Sequence, residues 1–150
     1  MADHVHRQII TALAAALTGL TTSGANVFTE RPEERPLQAA ELPALRVYPG
    51  EESGAISEHG VVRTRACGLA VVIEACVKAS IDAVDTIDAM CIEVEVELDV
   101  GVPLGGLAQM IEPRAFEYDS SADADLPVAV GRTTYEIIYH TAQGAPDVPL

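Results

Sequence analysis

The stretch SIDAVDTIDAMCIEVEVELD, residues 80–99, decides the fold, because its two halves suggest different periods. Its tail, IEVEVEL (92–98), alternates as a β-strand does. Read as a helix, Val84, Ile87, Cys91, Val94 and Leu98 follow steps of three and four and form one apolar seam. A strand would leave the preceding DAVDTIDAM without structure, whereas a helix accounts for the whole segment. Ser80 as N-cap and Asp82 in the first turn mark its expected start. The helix strands Ile81, Ile92 and Val96 among carboxylates, away from the seam. Seven of the chain's 23 acidic residues lie here.

Working outward, residues 4–18 are also expected to be helical. Val5, Ile9, Leu13, Leu17 and Leu20 form its buried side, Asp3 caps it and Gly19 stops it. QIITALAAALTGL (8–20) has the apolar content of a signal-peptide core, but Asp3 and only one Arg precede it, so a packed helix is the better reading. A short strand follows at Val27 and Phe28, then a loop over 30–43 punctuated by Pro32, Pro36 and Pro43. Another strand is expected at 44–48, and GEESGAISEHG (50–60) reads as an exposed loop or hairpin tip.

RTRACGLAVVIEACV (63–77) is the clearest strand. Its odd positions are bulky and suit helix packing, while its even positions are small and suit a close neighbour. AQMIEPRAFEYD (108–119) reads as a strand interrupted at Pro113, which places it at an edge or bulge. SSADAD (120–125) is a turn, LPVAVGRTTYEIIYHTA (126–142) a long final strand, and 143–150 a flexible tail. The expectation is one α+β domain spanning 1–150, in the order α-β-β-β-α-β-β. A mixed, mainly antiparallel sheet of about four to five strands carries two helices on one face.

Composition narrows the function. Hydrophobic residues make up 49% of the 150 residues, enough for a folded core, but aromatics are only 4% and Trp is absent. The formal charge of −14 repels phosphate backbones and anionic membranes. Three cysteines without a CxxC pair read as small hydrophobes in a reducing compartment. No apolar run approaches the roughly 20 residues a membrane-spanning helix needs.

Phosphate-binding loops, a nucleophile elbow and HExxH are absent from the sequence. His4 and His6, two apart at a helix start, point in different directions in this reading and lack a Cys/His cluster around them. His140, beside Glu136 on a strand face, reads as surface polarity. Asp85, Asp88 and Glu95 are the tempting carboxylates. Acid–base work needs carboxylates in unlike environments, and these line one solvated helical side. The apolar trio among them, Ile81, Ile92 and Val96, instead suggests a contact surface with a charged rim.

With these elements in order, the chain resembles the tail terminator proteins of long, non-contractile-tailed phages, the minor tail protein U family of lambda-like phages. HRQIITALAAALTGLTTSGANVF (6–28), LPALRVYPGEE (42–52), DTIDAMCIEVEVEL (85–98) and PVAVGRTTYEIIYHT (127–141) carry the likeness. It covers most of the chain as a texture and an order of elements, without a catalytic signature. The resemblance implies a structural virion protein that forms a hexameric ring, caps the tail tube, ends its polymerisation and offers a surface to the head connector. No reaction and no cofactor are implied. The implied partners are further copies of the chain, the tail tube protein and a head–tail connector or neck protein, with double-stranded DNA passing through without specific binding. The implied location is the head-proximal end of the virion tail, assembled in the host cytoplasm.

In a ring each subunit uses two different patches. Ile81, Ile92 and Val96 are the expected first patch. Arg63, Arg65 and Arg132 are candidates for the second, or else pair within the sheet. Glu51, Glu52, Ile56 and His59 in the 50–60 loop, with the tail, are candidates for contacts along the tail axis. The alternatives are another ring-forming neck or tail-completion protein, a small acidic metal-binding domain or enzyme using Asp85, Asp88 or Glu95, and a monomeric adaptor.

Overall fold

A computed structural model describes residues 2–59, 62–99, 101–123 and 126–150, with the side chains of 55–62 and 121–126 also outside the description. Two helices, α1 (Val5–Leu17) and α2 (Ala83–Leu98), pack on a five-stranded sheet. Its strands are β1 (Val27–Phe28), β2 (Ala44–His59), β3 (Val62–Lys78), β4 (Met110–Asp123) and β5 (Leu126–Ala142). Across the sheet they run β1-β2-β3-β5-β4, with β1 parallel to β2 and the remaining pairs antiparallel. The chain order is the α-β-β-β-α-β-β expected of an α+β fold.

α1 forms because Val5, Ile9, Leu13 and Leu17 recur on one side, and all four are fully buried. Burying a side chain of this size contributes roughly 1.5–3 kcal/mol. The N-cap is His4 rather than Asp3: its Nδ1 accepts from the His6 amide at 3.2 Å. The two rings stack, with centroids 3.9 Å apart, rather than pointing apart. Gly19, at φ 94°, takes the left-handed conformation that ends the helix.

Within α2 the buried side is Ala83, Ile87, Met90, Val94 and Leu98. This corrects the expected seam. Val84 is 52% exposed and Cys91 half-buried, because the helix is turned so that Ala83 and Met90 face inward. Asp82, not Ser80, occupies the N-cap position. The rotation accompanies a close approach to β5 at Gly131. A Cβ there would fall inside the van der Waals envelope of Ile87 Cγ2 and 3.3 Å from the Phe116 ring.

The odd side of β3 (Leu69, Val71, Ile73, Ala75, Val77) joins both helices and Tyr135, Ile137 and Tyr139 of β5 in the main core. The opposite face holds a smaller cluster, Leu37, Ala44, Cys76, Val128 and Val130, roofed by the 30–43 loop. β4 is an edge strand with a register shift between Pro113 and Ala115, as its proline foretold.

Three expectations need correction. Residues 120–123, expected in a turn, continue β4 and pair with β5 from Ser120↔Ala129 to Asp123↔Leu126, while 124–125 lie outside the described residues. Of the 50–60 stretch, expected as a loop or hairpin tip, residues 50–59 are the second half of β2 and one arm of a hairpin, paired with β3 from Glu52↔Leu69 to His59↔Val62, and residue 60 lies outside the described residues. The mostly polar residues of this arm, which do not alternate, need no core, because this half of the hairpin gains its order from the ladder. The tail is held rather than loose: Val5 N donates to the Pro146 carbonyl at 2.9 Å, and Leu150 N to that of His140 at 2.9 Å. Gln8 and Gln109 side chains add bonds to the Asp147 and Leu150 carbonyls.

Candidate functional site: an exposed helix face and an uncovered sheet edge

The trio left outside the seam of α2 stays outside it. Ile81 is 97% exposed, Ile92 62% and Val96 70%. Beside them, on β4, stand two residues that the sequence did not single out, Phe116 (44% exposed) and Tyr118 (51%). Their rings meet edge to face at 4.6 Å between centroids. The signal was available: Phe116 and Tyr118 lie two apart after the Pro113 irregularity, on an edge strand, and so share one face.

Across the two elements the Tyr118 hydroxyl donates to Asp88. That bond pushes the Tyr118 pKa up to about 12. Between α2 and β4 runs a trough of about 570 Å³, with Pro113, Phe116 and Thr133 in its floor and Asp88, Ile92 and Glu95 along its helical lip. Burial raises the pKa of the half-buried Cys91 thiol in the same wall, against a hydrogen bond with Thr133 that lowers it; Asp88 and Glu95 raise it further. A second depression continues past Glu95 and Pro113 to Asp99 and Ile111. The surface is apolar in the middle, with the carboxylates of α2 on one rim and Arg114, paired with Glu112 and Glu136, on the other side.

Arg132 belongs elsewhere. It projects from the face of the sheet opposite the helices, into a row built from four adjacent strands: Arg46, Glu74, Arg132 and Glu117. Arg132 Nε donates to Glu74 at 2.5 Å, and its Nη1 to Glu117 at 3.1 Å and Asp119 at 2.8 Å. Arg46 Nη1 lies 3.8 Å from the other Glu74 oxygen, and Arg46 and Glu74 are each only 1% exposed. Burial works against the charge on Arg132, but the bonds to Asp119, Glu74 and Glu117 outweigh it and raise its pKa. Burial also raises the Tyr48 pKa, helped by the charge of Glu74.

Arg63 and Arg65 are exposed at the far end of β3, away from Arg132. Glu51 is exposed on β2, whereas Glu52 accepts from the Tyr139 hydroxyl and faces His6 Nδ1 at 3.5 Å. Burial and that bond to Glu52 raise the Tyr139 pKa. The side chains of Ile56 and His59 lie outside the described residues. Asp85, Asp88 and Glu95 are not assembled with other ligands: among the described residues no group of three or more His, Cys, Asp or Glu could hold a metal ion. No helix among them is long and apolar enough to cross a membrane.

Set against known proteins, the chain matches no family model and no curated protein. Among solved structures it is similar to a chain of the virion of a native gene transfer agent particle. The two are 16% identical, with a TM-score of 0.44, over 90% of this chain and 91% of that one.

Proposed function

We propose that this protein is a structural component of a phage-like virion, a tail terminator subunit without catalytic activity. In this reading copies assemble into a ring, hexameric in the family it resembles, that caps the tail tube, ends its polymerisation and presents a surface to the head connector or neck protein. The partners are other copies, the tube protein and the connector, with DNA passing through the ring. The place is the head-proximal end of the tail.

The observation that carries the reading is the exposed apolar face of α2, continued onto Phe116 and Tyr118 beside the open edge of β4. An uncovered edge strand with aromatic side chains is an association hazard for a monomer and an asset for a subunit. The likeness of four sequence segments to tail terminators gives that face its setting. The acidic surface suits a DNA passage, since it gives phosphate nothing to hold.

Electron microscopy of particles made without the protein tests the role. Over-long tails without heads are the expected result. Tails of normal length detached from heads would instead assign a neck role to the same fold.

A further inference from the structure

β4 does not line the full length of β5. Gln109 N, just before β4 begins, donates to the Ile138 carbonyl at 2.7 Å. Beyond that point the 143–150 segment takes over the same edge. Leu150 N donates to the His140 carbonyl at 2.9 Å, and Pro149 faces Thr141 in an antiparallel bridge. The segment folds back to this seat past Gly144, whose φ of 84° suits glycine.

Main-chain atoms of the segment hold it there. Its Pro146 carbonyl accepts from Val5 N, a first-turn donor that α1 cannot pair by itself. The Gln8 side chain donates to the Asp147 carbonyl at 2.8 Å, and the Gln109 side chain to that of Leu150 at 3.1 Å. Val148 and Leu150 stay exposed, so the segment adds little apolar burial. A segment held in this way opens at lower free energy than the sheet beneath it.

What it covers is an edge suited to pairing. A bare strand edge is a template for another strand. The edge of β4 carries Glu112, Glu117 and Asp119, which repel a second acidic copy, whereas IYHTA (138–142) carries no carboxylate. The covering segment is itself a poor template. Leu150 N points into β5, so the backbone of Pro149 points outward, where proline has no N–H to offer.

We infer that 143–150 is a self-inhibitory strap, which keeps the 138–142 edge from pairing with the same edge of a second copy. Two unstrapped copies would join antiparallel through one shared patch and close as a two-fold dimer. On a chain of net charge −14, they would meet there without setting acid against acid. This contact is separate from the exposed face of α2 and does not depend on a tail terminator role.

Two full-length variants test it, both carrying Ile92→Asp and Val96→Asp so that the face of α2 contributes nothing. In one, Gln8→Ala and Gln109→Ala remove the side-chain holds. In the other, Gln8→Cys and Asp147→Cys lock the strap by a disulfide, located within one chain by peptide mass spectrometry. Hydrogen exchange at the Val5 and Leu150 amides reads opening, and sedimentation from micromolar to millimolar concentration reads association. The released variant is expected to exchange at both amides about tenfold faster, and to dimerise at about tenfold lower concentration, than its parent. The oxidised lock should stay monomeric, and reduction should bring the dimer back.

Unchanged exchange, faster exchange without more dimer, or a locked chain that dimerises like its parent would each overturn the inference. Should the released variant misfold, the lock alone decides. Equal association at millimolar concentration before and after its reduction refutes the strap.

Discussion

Glu74 of β3 stands directly opposite Arg132 of β5, and the two side chains meet at 2.5 Å on the face of the sheet away from the helices. Glu74 also faces Arg46 of β2 and is only 1% exposed, so one buried carboxylate serves two arginines. Water cannot replace it. Glu74→Gln is expected to cost about 3–5 kcal/mol, the usual penalty for leaving a buried charge uncompensated. Urea unfolding should show this as a lower midpoint at unchanged slope. Replacing the buried pair together, Arg46→Met with Glu74→Leu, should recover part of the loss. If Glu74→Gln were neutral, the ladder would carry no stability.

The outer end of the same ladder sets a pH dependence. The hydrogen bond from Arg132 holds the Asp119 carboxyl below its ordinary 3.8, helped by the Ser120 amide. A bond from Arg35 likewise lowers Glu41 below its ordinary 4.5. Both groups bind protons more readily when unfolded, so their contribution is fully present above the unfolded values and is lost as pH falls through the folded ones. Thermal unfolding between neutral pH and about pH 3 should show stability declining below roughly pH 4.5. Asp119→Asn should flatten part of that decline by lowering the neutral-pH melting point by the same amount, a small one since the group is exposed.

At Gly131 a side chain would meet both Ile87 of α2 and the Phe116 ring of β4. Gly131→Ala should push the helix outward and cost about 1–3 kcal/mol, the usual range for overpacking. Shortening Ile87 to Ala at the same time should relieve the clash, so a double-mutant cycle is expected to show coupling between the two sites. Additive effects would mean that the helix has room to move.

These residues also show how far the sequence could be read. α2 was legible as a helix because its apolar steps of three and four admit no strand of that length. Its rotation was not, because Val84 and Ala83 differ by one position and the choice falls to the space above Gly131. The second half of β2 was not legible as a strand, because a strand that runs past its covering helices need not alternate apolar and polar. Arg46, Glu74, Arg132 and Glu117 are far apart in the chain and become neighbours only through the register of four strands. Arg132 was accordingly considered for a contact between copies, although the sheet itself engages it. The apolar trio on α2 was legible, whereas its continuation onto Phe116 and Tyr118 required the strand order.

The face formed by that trio makes a last prediction. Ile92 and Val96 are 62% and 70% exposed and have no place in the core of a single copy. Ile92→Asp with Val96→Asp should therefore change the stability of the isolated domain by no more than about 0.5 kcal/mol. The same pair places two new charges in the middle of the proposed contact and should abolish ring formation, because an unpaired carboxylate buried there costs several kcal/mol. Circular dichroism with urea unfolding reads the first effect, and electron microscopy of particles carrying the variant reads the second, as tails that overrun their length. A domain that unfolds would assign both side chains to the core. A folded domain that still terminates tails would move the interface off α2.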